Sequence, residues 1–441
     1  MFRSASFLVV VGLVVAGLSV WTGAPARADT LVSELRGLLQ NYPRIKQAEK
    51  GLQSKRYDID KAESKNLPQV SMQLDHGPER VDTPAQRASH PGDTWQRPKT
   101  TASLTVTQRV FDGQAVSAEI RSAELGYRVT GMSLEGTRQN TMFEGIKAYI
   151  NVLRQRRLVG MARDNETTIQ HQLNLEDERV RRGSGVAVDV LQAKSRLQIA
   201  KERRVGFEGA LQNAIAAYQQ LFGHAPQLSA MVDPAPPPEM IPSSLARAIQ
   251  IGLKENPVIN NGALTVEQAH ERERLAQSAL YPTIDLVGSA NYEKNTGAIL
   301  GTQRDQSVVL RANWNLFSGF ATRADMAQAA FDYRASKDNR DYLASKVIEQ
   351  AKIAWHTLLT AQERTRLLAN AVNIASEVFA SRKKLRAAGK ETVINVLDAE
   401  NEVSNAQINY TSAAYDQRTA VYQLLLAMGR LNNDFLLMEK H

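Results

Sequence analysis

Two periodicities divide the chain. Over most of its length apolar residues recur every three or four positions, as in the ladder Ile146, Tyr149, Ile150, Leu153 and Leu158, the spacing of an amphipathic helix. In four short stretches they alternate with polar residues instead. Val70, Met72 and Leu74 oppose Gln69, Ser71, Gln73 and Asp75, and Ala102, Leu104 and Val106 oppose Thr101, Ser103, Thr105 and Thr107. Further on, Ile284, Leu286, Ala290 and Tyr292 oppose Thr283, Asp285, Ser289 and Asn291, and Val308, Leu310, Ala312 and Trp314 oppose Ser307, Arg311 and Asn313. A period of two predicts strands, each about ten residues long, the length a tilted membrane strand requires.

Proline placement fixes the helices. No proline occurs from Lys99 to Ala225 or from Thr283 to the end, and Ala, Leu, Gln, Glu, Lys and Arg fill those spans. Near-continuous helices are predicted over Gly113 to Arg182 and Gly319 to Ala388. Each would be about 105 Å long at about 1.5 Å per residue, beyond the size of an ordinary globular domain.

The plan is written twice. Asn41-Tyr42-Pro43 and Asn66-Leu67-Pro68 bracket a helical stretch that returns at Asn256-Pro257 and Leu280-Tyr281-Pro282. Val110-Phe111-Asp112-Gly113 returns as Leu316-Phe317-Ser318-Gly319, and Asp189-Val190-Leu191-Gln192-Ala193 as Asn395-Val396-Leu397-Asp398-Ala399. The first copy carries the longer strand-to-strand loop, about Gly77 to Pro98. The predicted organisation is a first repeat over 29–223, with its strand pair at 68–110 and a hairpin tip near 183–189. A proline-rich linker follows over 224–243, then a second repeat over 244–441, with its strand pair at 282–317 and a tip near 389–398.

Composition adds the compartment. Arg3, an apolar stretch from Phe7 to Trp21 and Ala26-Arg27-Ala28 read as a secretory signal over 1–28, cleaved after Ala28; the stretch is too short for a retained anchor. Cysteine is absent, so an exported product has no disulfide, no thiolate metal site and no lipidated cysteine. The formal charge is +8, or +6 once Arg3 and Arg27 are removed, and it is spread along the chain rather than clustered. That distribution, with aromatic residues at 6%, argues against nucleic-acid binding. The seven histidines His76, His90, His171, His224, His270, His356 and His441 lack paired metal spacing, and no nucleophile elbow, phosphate loop or zinc helix motif occurs. A non-enzyme without cofactor or metal is expected.

Beyond the leader no apolar run could cross a bilayer as a helix, so a membrane passage would have to be a barrel. A soluble sheet with one wet face is the competing reading, but its apolar face would need a cover of helices, and the helices here are too long to fold back over it. A sheet in lipid cannot leave backbone groups unpaired, and four strands cannot close a barrel. Either two copies with eight strands or three with twelve are needed.

Helix, strand pair, long helix, tip and returning helix, duplicated behind a leader, resemble the TolC family of outer-membrane efflux proteins over essentially the whole mature chain. The local pieces that carry the likeness are Arg109-Val110-Phe111-Asp112-Gly113, Asn315-Leu316-Phe317-Ser318-Gly319, and the tips Gly185 to Val190 and Gly389 to Asp398. The resemblance implies a mainly helical protein with membrane β structure: a homotrimer whose twelve-stranded barrel, four strands per protomer, continues as a helical coiled-coil tunnel. It implies an exit duct in the Gram-negative outer membrane with a periplasmic extension. Its partners would be a periplasmic adaptor, an inner-membrane ABC or proton-driven pump, and outer-membrane lipid.

Site residues follow from the same likeness. The tunnel's inner end would be closed by the second-copy hairpins, with a constriction at Asp398 and Asn395, of which only Asp398 is acidic. The family's link between tips falls on Asp189, Arg386 and Glu391, with an Arg386 to Asp189 pair as the expected latch. Gly183, Gly185, Gly389 and Lys390 are the expected adaptor contacts. Type I protein secretion is the expected task, favoured by the missing lipidated cysteine. Multidrug efflux is the alternative, and a periplasmic coiled-coil scaffold or pump adaptor is the rival from another class.

Overall fold

The computed structural model describes residues 30–89 and 95–432. The expected leader, His90 and His441 lie outside them. Eleven-residue α1 (Leu31–Asn41) leads through Tyr42 into α2 (Pro43–Glu63), with Pro43 as the first helical residue, where its missing N–H costs nothing. Then come β1 (Gln69–Val81), short α3 (Pro84–Ser89) and β2 (Trp95–Phe111). A 67-residue helix, α4 (Ala115–Arg181), runs away from the sheet and α5 (Ala187–Phe222) returns. The second copy repeats this as α6 (Leu245–Glu255), α7 (Pro257–Ser278), β3 (Thr283–Lys294), β4 (Thr302–Asn313), the 67-residue α8 (Ala321–Ala387) and α9 (Val393–Met428). At about 1.5 Å per residue α4 and α8 are each about 100 Å long.

The four strands form one antiparallel sheet in the order β1-β2-β3-β4, so β2 and β3 join the two copies. The register sorts the faces. Val70, Val106, Gly288 and Val308 lie across one row, and Met72, Leu104, Ala290 and Gln306 across the next, flanked by Leu74, Ala102, Tyr292, Leu286 and Leu310. An apolar face therefore runs across all four strands. Ser71, Thr105, Ser289 and Ser307 line up on the opposite face. Among the described residues no helix covers the apolar side: Val70, Met72, Leu74, Val308 and Leu310 are all exposed. The cover of helices that a soluble sheet would need is not supplied by the described residues of the chain. Among the described residues no helix is long and apolar enough to cross a membrane.

The first hairpin differs from expectation. Part of the segment assigned to a loop, Gly77 to Pro98, is strand, because pairing continues through Pro78 opposite Pro98 to Val81 opposite Trp95. Both prolines sit where their missing N–H is not needed: β1 is an edge of the sheet, and pairing of β2 with β3 starts only at Thr100.

The main core gathers at the middle of the helical part. The ladder residues Ile146, Tyr149, Ile150 and Leu153 of α4 meet Leu35 of α1, Tyr218 of α5, Ile251 of α6, Leu358 of α8 and Tyr422 of α9. Residues 224–243 form a strap with one 3-10 turn at Pro238–Met240, and Met231 and Met240 enter this core. Tyr149 Oη donates to Val232 O at 3.0 Å and accepts from Val232 N at 3.1 Å. Asp233 accepts from Tyr415 Oη at 2.8 Å and pairs with Arg418 at 3.1 Å, which pins the strap to α9. A second, smaller core of Ile169, Leu173, Val190, Ala193, Leu197, Ala200, Val393 and Leu397 lies toward the tips. The burial is unequal between copies. Val347, Ala351, Ala354, Leu358, Ala361 and Ala375 are the buried residues of α8, whereas α4 buries long stretches of its length.

Candidate functional site: the strand-to-helix turns and the hairpin tips

The turn from sheet to tunnel is built the same way in both copies. Gly113 and Gln114 have φ of 64° and 70°, and Gly319 and Phe320 have 62° and 67°, so two successive left-handed residues redirect each chain. Asp112 Oδ2 then accepts from Val116 N at 2.8 Å, and Ser318 Oγ from Thr322 N at 3.2 Å. Each side chain satisfies a free N–H at the start of a long helix, which is the physical content of the repeated Phe-Asp-Gly and Phe-Ser-Gly. The surroundings differ. A Cβ on Gly113 would lie 2.7 Å from Tyr281 Cβ, whereas Gly319 has nothing within 4 Å.

The far ends of the hairpins also match. Gly183 (φ 78°) donates to Val180 O and Ser184 to Arg179 O, each at 3.0 Å; Gly389 (φ 73°) donates to Arg386 O and Lys390 to Leu385 O, again at 3.0 Å. These paired bonds terminate α4 and α8 at glycines that tolerate the left-handed conformation. Gly185 is required for a different reason, since a Cβ there would meet Val180 at 2.8 Å. Its counterpart in the second copy is Glu391, and that carboxylate organises the second tip. Glu391 Oε1 accepts from Asn395 Nδ2 at 2.5 Å and Thr392 N at 3.0 Å, and Oε2 pairs with Arg382 at 3.4 Å. The Asn395 and Thr392 hydrogen bonds, helped by Arg382, hold the Glu391 carboxyl below its usual range. Asn395, expected at the constriction, is thus turned onto Glu391.

The expected latch is corrected. Arg386 does not pair with Asp189. Its Nη2 makes two 2.9 Å bonds to the two carboxylate oxygens of Glu176 on α4, and its Nη1 donates to Glu391 O at 2.9 Å. Glu176 is nearly fully buried, so it offers the guanidinium a desolvated bidentate partner. Asp189 instead occupies the first turn of α5, where a carboxylate suits the positive end of the helix dipole. Asp398, the other expected gate residue, is half exposed and salt-bridged to Arg196 of α5 at 2.6 Å. The carboxylate therefore carries its own counter-ion from the first hairpin.

Glu176 and Arg196 were not singled out from sequence. Glu176 had a readable signal: it occupies the position after Ile169 and Leu173 on the buried face of α4, a charge inside an apolar ladder. Arg196 had none. Among the described residues no group of three His, Cys, Asp or Glu side chains could hold a metal ion.

Against known proteins, a family model described as outer membrane efflux protein matches residues 35–224 and 248–430. Outer membrane efflux protein BepC of Brucella suis biovar 1 is 26% identical over 99% of this chain and 92% of that protein. Alkaline protease secretion protein AprF of Pseudomonas aeruginosa is 22% identical over 75% of this chain and 70% of that protein. The crystal structure of the Campylobacter jejuni CmeC outer membrane channel superposes with a TM-score of 0.79 at 13% identity, over 91% of this chain and 86% of that one.

Proposed function

The chain belongs to the outer membrane efflux protein family, the TolC-like channels that its duplicated plan resembles, and on that premise we propose that three copies assemble into one exit duct. It is an outer-membrane channel subunit, and its family is one of channel proteins rather than enzymes.

The family likeness supports three as the number of copies, and the observation that carries assembly is the uncovered sheet. Its apolar face spans every strand, and β1 and β4 leave their outer edges open within the chain. Lipid suits the face, and other copies suit the edges, since each unpaired backbone group in hydrocarbon costs several kcal/mol. Three four-stranded sheets give a twelve-stranded wall with the polar row of Ser71, Thr105, Ser289 and Ser307 turned to the water-filled interior. The helices support the same assembly. On α8, Ile353, Leu367 and Ile374 fall at multiples of seven residues and are exposed, as are Val378 and Leu385, seven apart. That is a coiled-coil seam without its partner helix in the single chain.

In this reading residues 1–28 are a cleaved leader, the two repeats and the strap divide as set out above, and the tips form the periplasmic mouth. Gly183, Gly185, Gly389 and Lys390 meet an adaptor there, beneath which an ABC or proton-driven pump delivers cargo. Asp398 with Arg196 borders the constriction, and the Arg386 to Glu176 bond holds the second hairpin against the first. Type I protein secretion is the first reading of the cargo, supported by the likeness to a protease secretion protein and by the lack of cysteine for lipidation. Small-molecule efflux is the second, favoured by the likeness to BepC along nearly the whole chain.

The test is direct. Outer-membrane fractions should yield a heat-resistant trimer whose reconstitution gives defined conductance steps in planar bilayers. A soluble monomer would overturn the proposal. Deleting the gene and comparing secreted proteins with drug sensitivity separates the two cargoes.

A further inference from the structure

One ionisable side chain in the distal core has no role in the tip network already described. On α9 the buried positions Val393, Val396, Leu397, Glu400, Ser404 and Thr411 follow one helical face, and the first and third of these belong to the core shared with α4 and α5. Glu400 thus occupies a core position, only 6% exposed, at the junction of the two hairpins. Its Oε2 has no hydrogen-bond partner among the described residues, and neither does Nδ2 of Asn165, buried on α4.

The charged groups around it are already committed or distant. On α4 the neighbour is Thr168, whose hydroxyl donates to Asp164 O at 3.0 Å; His171, one turn on, is exposed, and Glu166 pairs with Arg204. On α5, Arg196 pairs with Asp398 and Arg203 bonds Asn405 at 2.8 Å. From α8 there is Lys383, exposed, and on α9 itself Asp398 and Glu402, both exposed. Among the described residues no cation is seated on the carboxylate. The Thr168 hydroxyl and Lys383 favour the ionised form, but they do not offset the burial of the carboxylate, whose Oε2 keeps no partner among the described residues.

We propose that Glu400 is a proton-controlled lock on the tip: neutral, it lets α9 seat against α4 and α5, and ionised, it loosens that packing. Burial pushes its carboxyl up from the ordinary 4.5 to about 7, against the smaller opposing pulls of Thr168 and Lys383. The packed arrangement binds the proton more tightly than a separated one in which the group regains its ordinary acidity. Packing is therefore favoured fully at low pH and is lost as pH rises through about 7. From pH 5 to pH 8 the ratio of packed to separated hairpins should fall roughly 70-fold. The consequence for transport rests on the proposed function, which makes the tip the part of the duct that opens.

Hydrogen exchange of the full-length assembly, followed over residues 393–404 by mass spectrometry and corrected for the intrinsic pH effect, tests this. Wild-type protection should drop roughly 70-fold between pH 5 and pH 8, most of it below about pH 7 where the profile levels off, and Glu400→Gln should hold the low-pH protection throughout. A flat wild-type profile would overturn the proposal on its own, whether or not the variant folds. So would a Glu400→Gln profile with the wild-type slope. Bilayer conductance over the same range separates the two layers of inference: conductance that ignores pH while exchange responds leaves the lock standing and counts against the tip as the gate.

Discussion

Replacing Arg386 by Met removes the guanidinium that joins the hairpins while keeping most of the stem. Glu176 is left almost fully buried with Arg179 as its remaining partner, at 3.1 Å and half exposed. Losing one member of a buried ion pair costs about 3–5 kcal/mol, because the other charge stays desolvated. Here Arg386 is about a quarter exposed and Arg179 persists, so about 2–3 kcal/mol is expected, a shift of roughly 30- to 150-fold toward separated tips. The assay is a double-mutant cycle on the closed-to-conducting equilibrium in planar bilayers, using Arg386→Met, Glu176→Gln and the pair. With the carboxylate neutralised first, Arg386→Met should cost less than about 1 kcal/mol. Asp189→Asn should change nothing. Equal costs of Arg386→Met in both backgrounds would refute the reasoning, and an Asp189→Asn variant that opens the channel would restore the latch suggested by family likeness.

Other expectations concern the frame that carries the tips. Gly319→Ala should cost about 1–2 kcal/mol, the penalty of a left-handed residue with a Cβ in open space, while Gly113→Ala should cost clearly more because its Cβ collides with Tyr281. Thermal unfolding ranks the two, and equal midpoints would refute the asymmetry. Tyr149→Phe removes the hydroxyl that bonds both backbone groups of the half-exposed Val232 and should destabilise by about 0.5–1.5 kcal/mol, read as faster proteolysis within 224–243. An unchanged cleavage rate would mean that the strap is held elsewhere.

The sheet and the long helices were legible because each rests on local chemistry. Alternation in Val70, Met72 and Leu74 and freedom from proline between 99 and 225 are properties of the chain itself, and α4 and α8 end within two residues of the glycine-bounded spans predicted for them. The helices α1 and α6 were not seen as separate elements. Leu31, Leu35 and Leu38 give barely two turns of periodicity directly beside the leader, too little to stand apart from it. The strand extension past Gly77 was hidden by Pro78 and Pro98, which mark loops unless their positions relative to the sheet edges are known. At the tips, the choice between Asp189 and Glu176 for Arg386 depends on which carboxylate the packing of α4 buries. No spacing within either segment encodes that choice. Family likeness pointed to Asp189, and only the packing of α4 identifies Glu176 as the partner.

The open edges of β1 and β4 also constrain how the protein is made. A single chain released into the periplasm would expose an apolar face on four strands together with two rows of unpaired backbone groups, the features that nucleate strand-to-strand aggregation. The sheet therefore cannot be a finished intermediate waiting for membrane and partners. On the proposed assembly its folding, its entry into lipid and its meeting with neighbouring copies are coupled, while the two helical cores already form within the chain. Slow or failed assembly should appear first as aggregates held together through the strands, with the helices already formed.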